Sequence, residues 1–308
     1  MSVVLPFSRE FEFTHGVAEL VAPGLRRLVA NNPGPFTYKG TNSYLVGTGS
    51  VALIDPGPDD EAHRAAIFAE LDKRGERVSH IFLTHTHRDH SAGLPKLAEL
   101  TGAPVLGFGS TAASRKAAKL HPTSDDILDV EFIPDQPLKG GERIAGGDWE
   151  LEAVFTPGHA PDHLSFGLNG SETLLSGDHV MGWNTTVVAP PEGNMGDYIA
   201  SLELLLQRPE TVYFPGHGGR VDQAQRLVKA FIMHRRWREQ QILDCIRDGL
   251  DTIDLIVPRI YETLAESLRD AAAYSVLGHL ELLAATGRVI ADPHPGRNSR
   301  YSISDARG

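Results

Sequence analysis

The run Thr84-His85-Thr86-His87-Arg88-Asp89-His90 places three imidazoles and a carboxylate within seven residues. It follows Ser79-His80-Ile81-Phe82-Leu83, short and apolar enough for a strand buried on both faces. At a strand end the chain turns, so His85 and His87 can be aimed at one point, with Asp89 and His90 close behind. This density is what two neighbouring divalent ions need. Neutral imidazole nitrogen and carboxylate oxygen suit zinc and also tolerate iron or manganese. Three later segments each pair a strand and a small or turn residue with one ligand: Phe155-Thr156-Pro157-Gly158-His159, Leu175-Ser176-Gly177-Asp178 and Phe214-Pro215-Gly216-His217. Small residues allow backbone to approach the ions closely. The candidate ligands are therefore His85, His87, Asp89, His90, His159, Asp178 and His217. Paired ions lower the pKa of an attacking water, polarise a scissile carbonyl or phosphoryl oxygen and stabilise the leaving group.

The elements that position these side chains follow from the sequence pattern. Short β-rich pieces at 43–46 and 51–54 flank a turn containing Gly47 and Gly49. Asp59 and Asp60 can cap a helix over 61–73. Another helix follows Ser91, carrying Leu94, Leu97, Ala98 and Leu100, and 104–107 reads as a strand. Residues 129–175 are mostly β in pattern, clearest at 150–155 and 173–176; a helix at 195–206 then precedes a strand at 211–214. Strands alternate with helices yet also join through short turns. The predicted class is α/β: an αββα sandwich of two mixed sheets with helices on the outer faces. After Gly219 the pattern changes to helices over 223–247, 252–262 and 268–286, followed by two β pieces around a turn rich in Pro, Gly and Asn. Three helices and a hairpin are the order of a winged-helix module. The expected division is 1–222, catalytic, and 223–308, a small, mostly helical winged-helix-like domain.

Composition narrows the function. With 41% hydrophobic and 22% charged residues the chain reads as soluble and globular. No apolar run approaches a membrane span, and the first ten residues lack a signal-peptide pattern, so a cytoplasmic location and no membrane partner are expected. The lone Cys245 suits a reducing compartment and reads as a buried structural thiol. The net charge of -11 is uneven: 17 Lys/Arg stand against 29 Asp/Glu up to residue 224, and 12 against 11 afterwards. An acidic catalytic part weighs against a broad basic surface for nucleic acid. The basic run Arg235-Arg236-X-Arg238 reads as a solvated helix face. His15, His63, His80, His121, His279 and His294 lie in no ligand pattern and read as structural. His163 could bond substrate or finish a turn. His179 reads as packing, and Trp183 to Thr186 as either cleft wall or structural loop.

The motif His-X-His-X-Asp-His, with the three later ligand segments in order, resembles the metallo-β-lactamase superfamily over at least 32–220. The resemblance implies that His85, His87 and His159 hold one ion and Asp89, His90 and His217 the other, with Asp178 bridging. Asp55, in Ile54-Asp55-Pro56-Gly57, resembles the family's buried acid beneath the ions. The sequence is most similar to the β-lactamase-like-protein-2 branch, through Asn32-Pro33-Gly34-Pro35-Phe36-Thr37, Gly40-Thr41-Asn42-Ser43-Tyr44, Pro157-Gly158-His159-Ala160-Pro161-Asp162-His163 and the appended winged helix. The implied enzyme is a binuclear metal-dependent hydrolase in which a bridging hydroxide attacks an ester, thioester or phosphodiester, with Asp89 orienting the nucleophile. Its partner is a small-molecule ester or thioester or, by the branch's known activities, single-stranded RNA. A metal-sensing winged-helix DNA-binding protein is the rival from another class; the near-neutral C-terminal part counts against it. A secreted lactamase and a diiron-flavin oxidoreductase are disfavoured by the missing export signal and by His87 at the middle motif position. The apolar helix around 271–283 could form a homodimer contact or cover the cleft.

Overall fold

The computed structural model describes residues 5–120 and 128–304; His121 lies outside them. In chain order the strands are β1 (Glu19–Ala22), β2 (Leu25–Val29), β3 (Asn42–Val46), β4 (Ser50–Ile54), β5 (Arg77–Phe82), β6 (Val105–Gly107), β7 (Gln136–Pro137), β8 (Arg143–Gly146), β9 (Trp149–Phe155), β10 (Leu164–Leu168), β11 (Thr173–Gly177), β12 (Val212–Pro215), β13 (Val289–Asp292) and β14 (Arg300–Ile303). The helices are α1 (Glu61–Arg74), α2 (Arg88–Ser91), α3 (Leu94–Thr101), α4 (Ala112–Leu120), α5 (Met195–Leu205), α6 (Ala224–Arg247), α7 (Ile253–Ile260) and α8 (Arg269–Ala285).

β1 to β7 form one sheet in sequence order, antiparallel as far as β4 and parallel from there. The second sheet runs β12-β11-β10-β9-β8, with only β11 and β12 parallel. β9 shows why two sheets must pack. Leu151 and Ala153 face the shared core with Tyr44, Phe82, Phe166 and Phe214, while Glu150 and Glu152 point away. α1 and α3 cover the outer face of the first sheet through Ile67, Leu71 and Leu97. α5 and α6 cover the second through Tyr198, Leu202, Leu227 and Phe231. Four layers result, αββα as expected.

Local chemistry sets the boundaries. Asp60 accepts from the amides of Ala62 and His63 at 2.7 and 3.1 Å to start α1, and Gly75 ends it at φ 66°. α6 is 24 residues long, about 36 Å at 1.5 Å per residue. Its first half packs on the second sheet. Its last half joins α7, α8 and the β13–β14 hairpin in a separate core of Ile242, Ile256, Val276, Leu280 and Tyr301. The expected division at residue 222 falls just before this shared helix. Cys245 is buried in that core. The basic run differs from expectation: only Arg236 is exposed, pairing with Glu203 at 2.9 Å. Arg235 and Arg238 are buried, over the rings of Tyr198 and Tyr261 respectively. No helix among the described residues is long and apolar enough to cross a membrane.

Candidate metal centre

Five strands end on one side of the sandwich, and each ends one residue to a few residues before a candidate ligand or its support. β5 leads to His85, His87, Asp89 and His90, β9 to His159, β11 to Asp178, β12 to His217 and β4 to Asp55. Carboxyl ends of strands are where an α/β sheet has room for a ligand. The fold therefore brings all seven expected ligands together. Their donor atoms form three overlapping groups, each within 4.8 Å: His85/His87/His159, His85/His90/Asp178 and Asp89/His90/His217. Asp178 belongs to the group that joins the other two.

Each of the five imidazoles bonds outward with one nitrogen and turns the other inward. His85 Nδ1 donates to Thr84 Oγ1 at 2.9 Å, and Thr84 Oγ1 donates to Asp55 at 2.8 Å. His90 Nδ1 donates to Asp55 Oδ2 at 2.9 Å. His159 Nδ1 donates to the Val187 carbonyl at 2.7 Å, and His217 Nδ1 to that of Gly40 at 3.1 Å. His87 is reversed, with Nε2 on Glu192 Oε2 at 3.2 Å and Nδ1 inward. With the rings neutral, these outward acceptors assign the tautomers, and the inward nitrogens carry lone pairs. They crowd at 3.0 Å (His85–His87), 3.1 Å (His87–His159) and 3.3 Å (His90–His217). Bare lone pairs so close repel unless a cation sits among them. The donor set fits divalent metal.

Charge leads to the same reading. Burial acts to lower the pKa of His90, but Asp89, Asp178 and Asp55 outweigh it and raise it well above the usual range. His217 likewise rises to about 9 against burial, through Asp178 and Asp89. Burial acts to raise Asp178, yet His217 and His90 hold it well below the ordinary carboxylate range. His85 is pushed well down by burial and by its neighbours His90, His87 and His163. The carboxylates call for positive charge at the centre, which divalent ions supply.

Small residues make the space. A Cβ on Gly158 would lie 2.3 Å from Tyr198 Cα, and one on Gly216 would lie 2.3 Å from Asp178 Oδ1. Asn42 spans to the second sheet, donating from its side chain to the carbonyls of Pro215 and Gly218 at 2.8 and 2.9 Å. Thr41 Oγ1 reaches Asp89 Oδ2 at 3.3 Å. Asp55 adopts φ 53° and accepts from Thr84 N at 2.8 Å, beneath the cluster as expected. His163 lies fully buried behind Asp178, accepting from its amide at 3.1 Å, and does not line the cavity. His179 packs on the Tyr198 ring.

A cavity of about 510 Å³ opens over Asp89, Asp178 and His217. Trp183, Asn184 and Thr185 line it; Thr186 instead bonds the carbonyls of Asp178 and His179. Tyr274 of α8 completes the wall, so the apolar helix contributes to the cleft. Two supporting acids were not anticipated. Asp162 accepts from the Thr86 amide at 3.0 Å, and burial pushes its carboxyl up to about 7. A hint of it existed, since it sits in the motif around His159. Glu192 gave none: it is 105 residues from His87 in a loop without periodicity.

Comparison with known proteins agrees with this architecture. Residues 37–217 match the metallo-beta-lactamase superfamily, and 252–297 the beta-lactamase associated winged helix domain. The beta-lactamase-like protein 2 homologue of Drosophila melanogaster is 33% identical over 274 residues, 85% of this chain and 88% of its own. An atrochrysone carboxyl ACP thioesterase of Claviceps purpurea is 29% identical over 296 residues, 92% of this chain and 88% of its own. A metallo-beta-lactamase family protein of Thermus thermophilus superposes with a TM-score of 0.73 at 26% identity, covering 92% of this chain and 99% of that one. Fold, ligand motifs and appended domain together make this chain a hydrolase of the metallo-beta-lactamase superfamily.

Proposed function

We propose that the protein is a binuclear metal-dependent hydrolase of acyl thioesters, with related carboxylic esters as lesser substrates. The observation that carries this reading is the cavity wall. Among the described residues it is largely apolar, through residues such as Phe36, Met181, Trp183 and Pro190, and includes neither lysine nor arginine. A phosphodiester backbone is held by cationic side chains. An uncharged acyl group needs none, and apolar walls favour it by burial. The thioesterase named among the relatives supports the same class.

His85, His87 and His159 would hold one ion and Asp89, His90 and His217 the other, with Asp178 between them. When bound, the ions supply Lewis-acid chemistry, acidifying water and polarising the acyl oxygen. The chain's residues do the rest. Asp89 lines the cavity, its side chain 28% exposed, and His90 and His217 outweigh burial to hold its pKa below the usual range. A carboxylate so acidic accepts hydrogen bonds but stores protons poorly, so Asp89 orients the attacking water. Asp55 and Thr84 fix the rings of His85 and His90, which limits reorganisation during the reaction.

The test is zinc-loaded protein assayed by thiol release on a panel of acyl thioesters, with His85→Ala and Asp178→Ala as controls. Thiol release that both substitutions abolish is the expected result. Cleavage of single-stranded RNA by the wild type but not by His85→Ala, with no thiol released, would overturn the assignment.

A further inference from the structure

The cavity-wall loop at 187–194 touches the histidine cluster twice: Val187 accepts from His159, and Glu192 Oε2 accepts from His87 Nε2 at 3.2 Å. The loop is itself anchored to the segment carrying His159, because the amide of Asn194 donates to the Gly158 carbonyl at 2.8 Å. Gly193 closes a turn onto the Ala189 carbonyl at 2.8 Å, and a Cβ there would lie 2.6 Å from Ala189 N. Pinned backbone thus delivers Glu192, whose side chain is only 14% exposed. Its Oε1 is buried with no hydrogen-bond partner.

His87 differs from the other four rings in orientation. It alone faces the cluster with Nδ1, which turns Nε2 toward the cavity wall, where Glu192 supplies the acceptor. We propose that Glu192 is a positioning residue: it fixes the tautomer and orientation of His87 for the first ion, and its carboxylate disfavours negatively charged acyl groups in the cavity. The proposal rests on the binuclear reading above.

The experiment compares Glu192→Ala and Glu192→Gln with wild type. Zinc affinity is measured by competition with a chromogenic chelator, and ligand geometry by the absorption spectrum of the cobalt(II)-substituted protein. Loss of a carboxylate behind a ligating histidine weakens metal binding about 10–100-fold. Glu192→Ala should show this for one of two ions, with an altered cobalt spectrum. Glu192→Gln keeps an acceptor oxygen and should recover most of the affinity. Both variants should lower KM for a dicarboxylic acyl thioester relative to a neutral one. Unchanged affinity and spectrum in Glu192→Ala would overturn the proposal. So would equal weakening of both ions in both variants, which marks a general loop defect. Metal affinity is read without substrate, so wild type that binds two ions but releases no thiol refutes the thioesterase reading and leaves this test intact.

Discussion

Gly216→Ala offers a stringent test of the centre, because the substitution adds one methyl group at a known place. Gly216 has no left-handed φ, so alanine meets no backbone penalty there. The added Cβ would lie 2.3 Å from Asp178 Oδ1 and 2.6 Å from His90 Cε1, where ordinary contact begins at 3.4 Å. The backbone cannot retreat easily. Its amide donates to Gly177 O at 2.9 Å, and its carbonyl accepts from Asn42 N at 2.7 Å, tying it to both sheets. Asp178 must therefore move by about 1 Å, a displacement that costs on the order of 100-fold in turnover. Overpacking should also cost about 1–3 kcal/mol of stability. Bound zinc would be counted by elemental analysis after dialysis, thiol release followed in parallel, and folding checked by circular dichroism. The expected protein is folded, binds fewer than two ions and turns over about 100-fold more slowly. A folded Gly216→Ala variant with two tightly held ions and wild-type turnover would refute the placement of Asp178 at the centre.

Three further outcomes follow from other parts of the structure. Asp55→Asn tolerates the positive φ but turns one acceptor oxygen into a donor facing Thr84 or His90; zinc affinity should fall about 10-fold or more in chelator competition. Burial holds His63 near pKa 4, against the opposing pull of Asp60, while an unfolded histidine titrates at 6.5. Below pH 6.5 the unfolded chain therefore gains a proton that the native state refuses. His63 contributes a loss of up to about 1.4 kcal/mol per pH unit as pH falls toward 4, which His63→Gln should remove in urea-unfolding series. Tyr274→Ala should lower kcat/KM for bulky acyl thioesters by about 10-fold, the worth of an aromatic contact, without changing metal content.

The seven candidate ligands were legible because four crowd into the run after β5 and three stand at strand ends beside a glycine, relations that survive in linear sequence. So was the order of three helices and a hairpin in the C-terminal part. What escaped depends on pairings between distant segments. β2 contains Arg26 and Arg27 and does not read as a core strand, yet Arg26 is buried between Glu70 and Glu76 at 3.2 and 2.7 Å. Arg235 and Arg238 resemble a solvated face until Tyr198 and Tyr261 are found over their guanidinium groups. Glu192 acquires its significance only from His87. Burial of a charged side chain is decided by its partner, and local pattern does not show the partner.

The division between ligands and cavity walls also explains why the ligand motif alone leaves the substrate open. The candidate ligands sit at or just past strand ends fixed by two packed sheets, where a shift of a fraction of an ångström would disturb several of them together. The walls come from elsewhere: residues 35–37, Leu128, the loop at 181–192 and one helix of the C-terminal part. Gly278 lets α8 lie against the Val188 carbonyl, where a Cβ would approach to 3.2 Å, and Tyr274 one turn earlier enters the cavity from the same helix. The winged-helix domain is thus a structural part of the cavity. Substitutions along α8 should therefore reshape the cavity while the strand ends beneath it keep their geometry.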